Sequence, residues 1–338
     1  ARQVGKTTLM SQLVDAFSDK KIVQLNCDDV ETLEILNNTN KTELARIIGG
    51  ADLLIIDEAQ RIADAGLVLK RITDNYPKVQ LFVTGSSSFE LSSKINEPLT
   101  GRKLLFQLYP LSTNEIYKEQ GLVPTRQMLE NRLIFGSYPD IVNHPGKAAR
   151  LLHEITSSYL YKDILSLEGI KKPDLVRRLL VALALQVTGE VSYHELAQLL
   201  DTDNKTIEKY IGILEKCFIV FRLSSFSRNL RNELKKSRKI YFYDNGIRNA
   251  VLQNYSPLSL RNDVGALWEN FFISERVKSN AYSGRFVNMY FWRTTSMQEI
   301  DYIEESNGGF DLFEMKWNEK KAKTRLPEVF LKTYSINS

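Results

Sequence analysis

Residues Arg2-Gln3-Val4-Gly5-Lys6-Thr7-Thr8 have the types and spacing that grip phosphates. The full pattern is a Gly, four residues, then Gly-Lys-Ser/Thr. Gly5, Lys6 and Thr7 satisfy its second half, and the first Gly would fall one position before Ala1. The chain is therefore expected to be a fragment lacking at least a strand and that Gly. Backbone N–H groups of such a loop surround phosphates, and the positive end of the next helix points at them. Gly5, Lys6, Thr7 and Thr8 are thus candidate nucleotide-binding residues. Lys6 would reach the β- and γ-phosphates, and the Thr7 hydroxyl would take one Mg²⁺ position. The helix is expected over Thr7 to Phe17, with Leu9, Leu13, Val14 and Phe17 roughly on one face. A chance Gly-Lys-Thr at a helix start is the bland alternative.

Leu53-Leu54-Ile55-Ile56 is a short, wholly apolar run that ends in Asp57-Glu58. It reads as a buried parallel strand, whose carboxyl end is where an open α/β sheet places its chemistry. Asp57 would hold Mg²⁺, and Glu58 would orient or deprotonate an attacking water. A third strand, Gln80 to Val83, ends in Thr84-Gly85-Ser86-Ser87-Ser88. Thr84 at that position could sense the γ-phosphate, although hydroxyl residues also simply make turns after strands. Arg102, in Leu99-Thr100-Gly101-Arg102, is a candidate arginine finger or an ordinary loop cation.

Elements must hold these groups in place, and composition bounds which. At 338 residues the length suits two or three domains, and 43% hydrophobic with 25% charged residues is ordinary for a globular chain. A net charge of +4 permits a nucleic-acid partner without demanding one. Cys27 and Cys217 make no metal-ligand pattern and look like small hydrophobes in a reducing compartment. The longest fully apolar run, Leu179 to Leu185, is far too short for a membrane span. Nucleotide chemistry points to the cytoplasm. By texture the chain divides into an ATPase domain (1–119), a helical lid or connector (120–170), a winged-helix-like block (171–238) and a second α/β domain (239–338).

In the third block, Ser192-x-x-Glu195 opens a helix, Asp201 to Asn204 turns, and Lys205 to Cys217 continues with apolar Ile207, Ile211, Leu214 and Phe218. A strand over Phe218 to Leu223 would supply the wing. Lys205 and Lys209 alternate with Asp203 and Glu208, which suits a protein contact or spacer better than a duplex. Next, Arg228, Arg231, Lys235, Lys236, Arg238 and Lys239 face a single acid, Glu233. They could neutralise phosphates or form a solvated linker.

The last block carries Glu269 on an amphipathic helix, Asp301 on one expected strand, and Glu314 and Lys316 on the next. Positions two apart on a strand share a face, so the spacing matches a metal-dependent nuclease core in which carboxylates bind Mg²⁺ and Lys316 positions water. An alternating-charge sheet face is the other reading.

Taken together these motifs resemble a prokaryotic family of AAA-type P-loop ATPases. The residues that carry the resemblance are 2–8, Ile56 to Gln60, Thr84 to Ser88 and Leu99 to Arg102, continuing through Phe135 to Pro139, Tyr159 to Ile164, Tyr241 to Asp244 and Trp268 to Asn270. The resemblance covers nearly the whole chain. It implies an α/β fold: a P-loop NTPase (AAA-like) parallel sheet, a helical and winged-helix middle, and a C-terminal domain of unknown function similar to restriction-endonuclease-like folds. It implies ATP binding and hydrolysis at Gly5, Lys6, Thr7, Asp57 and Glu58. The expected function is an ATPase, using ATP and Mg²⁺, that acts as a motor or switch for a DNA-associated C-terminal domain. The alternatives are a switch whose C-terminal domain only binds protein or nucleic acid, and an ATP-regulated nuclease. An oligomer is compatible with this reading, and a membrane partner is not expected.

Overall fold

The structure, a computed structural model, describes residues 3–38, 40–85, 99–160, 164, 170, 172–227, 237–294, 298–318 and 326–334. The chain divides into two compact units, Ala1–Leu108 and Tyr109–Ser338.

The first unit is built on three parallel strands, β1 (Ile22–Asn26), β2 (Leu53–Asp57) and β3 (Gln80–Val83), with β2 in the middle. Register pairs Asn26 with Asp57 and Ile56 with Val83, so these strand ends lie on one edge. β2 is apolar up to its final Asp57 because both its faces are covered; Leu53, Leu54, Ile55 and Ile56 are all buried. Its neighbours in the core include Cys27, Leu36, Leu44, Ile48, Val68, Leu69 and Ile72. Local chemistry sets the helix ends. Asp29 accepts from Thr32 N–H to start α2 (Val30–Asn37), and Asn40 accepts from Glu43 N–H to start α3 (Lys41–Ile48). The preceding helix, α1 (Lys6–Ala16), begins one residue earlier than the sequence suggests. None of its residues is buried, so the apolar stripe of Leu9, Leu13, Val14 and Phe17 is not a core face within this unit. α4 (Ala65–Asn75) buries Val68, Leu69 and Ile72 against the sheet.

The second unit starts with short helices: α5 (Thr113–Gln120), α6 (Leu122–Gln127), α7 (Leu129–Phe135), α8 (Pro139–Asn143) and α9 (Ala148–Glu154). A reciprocal capping box at Ser112 and Glu115 opens α5. Then come α10 (Pro173–Leu185), β4 (Glu190–Val191), α11 (Tyr193–Leu199), α12 (Asn204–Lys216), β5 (Val220–Ser225) and β6 (Arg238–Phe242). The unit finishes with α13 (Asn245–Val251), α14 (Val264–Tyr282), β7 (Asn288–Arg293), β8 (Glu299–Ser306), β9 (Gly309–Phe313) and α15 (Glu328–Thr333). One six-stranded sheet runs β4-β6-β5-β7-β8-β9, antiparallel except where β5 meets β7.

Two boundaries expected from sequence texture therefore fall inside regular structure. The 119/120 boundary lies within α5, and 238/239 lies within β6, whose ladder continues into the sheet that carries β7 to β9. A buried polar knot holds the helices to that sheet. Asp244 caps α13 through Ile247 N–H and also accepts from Ser137 N–H at 2.7 Å. Asn249 donates to the Leu133 and Ile134 carbonyls, and Asn270 bridges to Phe242.

Candidate nucleotide site

Gly5 precedes α1 with φ at +90°, a left-handed conformation that favours glycine, and Lys6 is the first helical residue. That turn places Thr7 on the first helical turn, where its hydroxyl donates to Asp57 Oδ2 at 3.1 Å. Asp57 ends β2 and gathers three further contacts. Its Oδ1 accepts from the Thr84 hydroxyl and, at 3.0 Å, from Glu58 N–H, while its carbonyl accepts from Cys27 N–H at 3.0 Å. Thr84, buried at the end of β3, is thereby fixed against the Asp57 carboxylate.

Glu58 takes φ +53°, a left-handed conformation unusual for a side chain with a Cβ. Such a residue costs on the order of 1–3 kcal/mol and persists only where its surroundings hold it. Here Glu58 N–H is held by Asp57, and Ala59 N–H donates to the Thr84 carbonyl at 2.9 Å. Gln60, itself buried, donates its amide to the Glu58 carboxylate. Cys27 lies beneath this edge, fully buried. Burial first, then the Asp57 and Asp28 carboxylates, push its thiol up to about 11.

The structure thus brings Thr7, Asp57, Glu58 and Thr84 into one hydrogen-bonded cluster, with Gly5 and Lys6 in the turn that delivers Thr7. Thr8 is exposed on the same first turn. Arg102 is not brought there: its guanidinium pairs with Asp74 in the last turn of α4. Ser86, Ser87 and Ser88 lie outside the described residues. A hydroxyl and a carboxylate converging in this way fit a Mg²⁺ position.

Glu269, Asp301, Glu314 and Lys316 also converge, in the second unit, but as ion pairs. Glu314 and Lys316 lie just past the end of β9 rather than on a strand. Lys316 Nζ bonds Glu314 Oε1 at 2.6 Å and Asp301 Oδ2 at 3.4 Å, and Met315 N–H donates to the same Asp301 oxygen at 2.9 Å. On the other side, Tyr241 donates to Glu269 Oε1 at 2.8 Å, and Lys239 Nζ lies 3.5 Å from that oxygen and 2.6 Å from Glu299 Oε1. Burial pushes Glu269 up to about 7; Lys239 opposes that rise and Asp301 adds to it. Burial opposes the Lys239 charge, yet Glu269 and Glu299 hold its pKa above the ordinary lysine value. Both members of that pair rise because one ammonium is shared by two acids, and the shorter contact gives it to Glu299. Among the described residues no three Asp, Glu, His or Cys side chains form a metal-holding group. Two lysines lie against these carboxylates, Lys239 on Glu269 and Glu299, and Lys316 on Asp301 and Glu314.

Sequence reasoning missed β1 and gave Gln60, Lys239 and Tyr241 no place in either cluster. The last two carry a readable signal: they stand two apart in one short strand, so both face one side. Lys239 also leaves the set of cations expected to meet phosphates, since it is buried, and Arg238 lies over the Tyr193 ring at 4.8 Å. Arg228, Arg231, Glu233, Lys235 and Lys236 lie outside the described residues.

A parallel sheet with this cluster on its carboxyl edge is that of a P-loop, AAA-like nucleotide-binding domain. Comparison with known proteins agrees. Residues 1–117 match an AAA domain, residues 126–258 a domain of unknown function (DUF8612), and residues 264–336 a second domain of unknown function (DUF4143). An uncharacterized protein of Mycobacterium tuberculosis is 28% identical over 323 residues, covering 93% of this chain and 68% of that protein. An uncharacterized protein of Methanocaldococcus jannaschii is 25% identical over 297 residues, 81% of this chain and 64% of its own length. The replication factor C small subunit of Sulfurisphaera tokodaii is 26% identical over 213 residues, 58% of this chain and 62% of that subunit. The chain spans about two thirds of the length of these relatives. It carries an AAA domain at its N-terminal end and the DUF4143 domain at its C-terminal end, as the motif resemblance implied, and its relatives support a nucleotide-binding ATPase. Among the described residues no helix is long and apolar enough to cross a membrane.

Proposed function

We propose that this chain is an ATP-binding, Mg²⁺-dependent ATPase that serves as a motor or switch for the unit following its AAA domain. The observation that carries this reading is the contact between Thr7 and Asp57 at 3.1 Å. A hydroxyl at a helix start and a carboxylate at a strand end are the two groups a P-loop protein offers to a phosphate-bound Mg²⁺. When bound there, the ion would offset charge on the phosphate oxygens.

The remaining roles fall to this chain's own residues. The Gly5 turn presents backbone N–H groups to phosphate, and the Lys6 ammonium binds the terminal phosphates. Asp57 holds Thr7 and Thr84 in register. Glu58 orients the attacking water and takes its proton, and Gln60 fixes the carboxylate that does so. Lys6→Ala in the intact protein should abolish ATP turnover; turnover that survives the change would sink the assignment.

For the second unit, the order β4-α11-α12-β5-β6, with β4 closing onto β6, supports a winged-helix arrangement. Exposed Lys205 and Lys209 beside exposed Glu208 favour a protein partner over duplex DNA. A steep salt dependence of DNA affinity would reverse that preference. The order α14-β7-β8-β9, carrying Glu269 and Asp301, is the ground for reading a restriction-endonuclease-like fold there.

A further inference from the structure

We infer that Lys239 is the resident cation of Glu269 and Glu299, as Lys316 is of Asp301 and Glu314, and that this four-carboxylate cluster works without a divalent metal. The inference goes beyond the ATPase reading and does not rest on it.

Position comes first. β6 aims Lys239 and Tyr241 from one face toward α14, where Glu269 receives both. The same ammonium reaches Glu299 on β8 at 2.6 Å and lies 5.2 Å from the centre of the Phe291 ring on β7. Only 3% of Lys239 is exposed. It therefore joins a helix and two strands at the point where an ion bridging Glu269 to the β8 carboxylates would have to sit. Mg²⁺ demands near-octahedral oxygen ligands at about 2.0–2.1 Å. An ammonium between the same oxygens leaves no room for that shell.

Lys316 closes the other half. It binds Glu314 and Asp301, and the Asp301 oxygen it uses also accepts Met315 N–H. One buried oxygen, Glu314 Oε2, has no hydrogen-bond partner among the described residues. A single orphaned oxygen does not make a divalent site. Charge is thus met by side chains of the protein itself, and the cluster acts as an ionic tie between β6, α14 and β8. Removing one partner of a buried pair leaves the other charge uncompensated. A variant lacking the ammonium would present facing carboxylates around a gap, which a divalent ion could fill.

The test is a Mn²⁺ titration of the full chain without nucleotide, read by the electron paramagnetic resonance signal of the free ion. The wild type and Asp301→Asn should bind Mn²⁺ alike. Lys239→Met and Lys239→Gln should each take up a further equivalent that the wild type does not bind, and lose it when Asp301→Asn is added. An ion bound by the wild type and lost in Asp301→Asn would overturn the inference. So would a folded Lys239 variant that gains no ion. If neither variant folds, the wild-type comparison with Asp301→Asn decides alone.

Discussion

Thr7 and Asp57, 50 residues apart in the chain, meet through a 3.1 Å hydrogen bond at the carboxyl edge of the first sheet. Neither residue is positioned by the other alone. Thr7 is delivered by the left-handed turn at Gly5, and Asp57 by a strand buried on both faces. Asp57→Asn keeps the shape and removes the charge that Thr7, Thr84 and the Glu58 N–H all address. We expect ATP turnover to fall by roughly 10²–10³-fold, the scale of losing a preorganised electrostatic contact. Steady-state phosphate release measures it, with circular dichroism to establish that the variant is folded.

How much of this was legible beforehand follows from where each signal resides. Gly5-Lys6-Thr7 and the apolar run into Asp57-Glu58 announce themselves because phosphate binding constrains residue type and spacing together. β1 has no such constraint: Ile22 to Asn26 is short, half-covered, and mixes Gln24 and Asn26 among its apolar residues. The pairing of β5 with β7 was equally hidden, since a parallel contact between distant strands leaves no mark in either segment. Carboxylates of the second cluster were readable by spacing, whereas their neutralisation was not. It depends on Lys239 arriving from β6, thirty positions before Glu269.

Glu58 offers a separate test. Its backbone is held in the left-handed region and its carboxylate receives the Gln60 amide. Glu58→Gln should leave nucleotide affinity near the wild-type value while kcat falls by about 10²–10⁴-fold, the range for losing a general base. Fluorescent-nucleotide binding alongside single-turnover hydrolysis separates the two effects. Equal losses of binding and turnover would place Glu58 in nucleotide binding instead.

Gly136 is fixed by a close approach. Its φ is +78°, and a Cβ there would overlap the Asp244 carboxylate, which accepts the Ser137 N–H at 2.7 Å. Gly136→Ala must either displace Asp244 or break that bond, as well as strain the backbone. We expect a loss of about 3 kcal/mol, lowering the melting point of the second unit by roughly 6–12 °C. All three tryptophans, Trp268, Trp292 and Trp317, lie in that unit, so intrinsic fluorescence follows its unfolding selectively. A melting point within a degree or so of wild type would show that the Asp244 contact is not tight.

The Glu269 carboxyl sets a pH dependence with a definite sign. Burial lifts it from an ordinary 4.5 to about 7 in the folded protein, with Asp301 adding to the lift and Lys239 and the Tyr241 hydroxyl resisting it. Below pH 4.5 the group is protonated both folded and unfolded, so it costs nothing. Between 4.5 and about 7 the folded chain holds a proton that the unfolded chain releases, and stability must fall as pH rises. Above that window the full cost, on the order of 3 kcal/mol, is present. Glu269→Gln removes the titration while keeping a side chain of similar size. Tryptophan-monitored melts should therefore show the variant gaining on the wild type steadily from pH 4.5 to 7 and holding a constant lead above it. Parallel wild-type and variant curves across that range would mean that Glu269 ionises normally, with Lys239 serving it as fully as it serves Glu299.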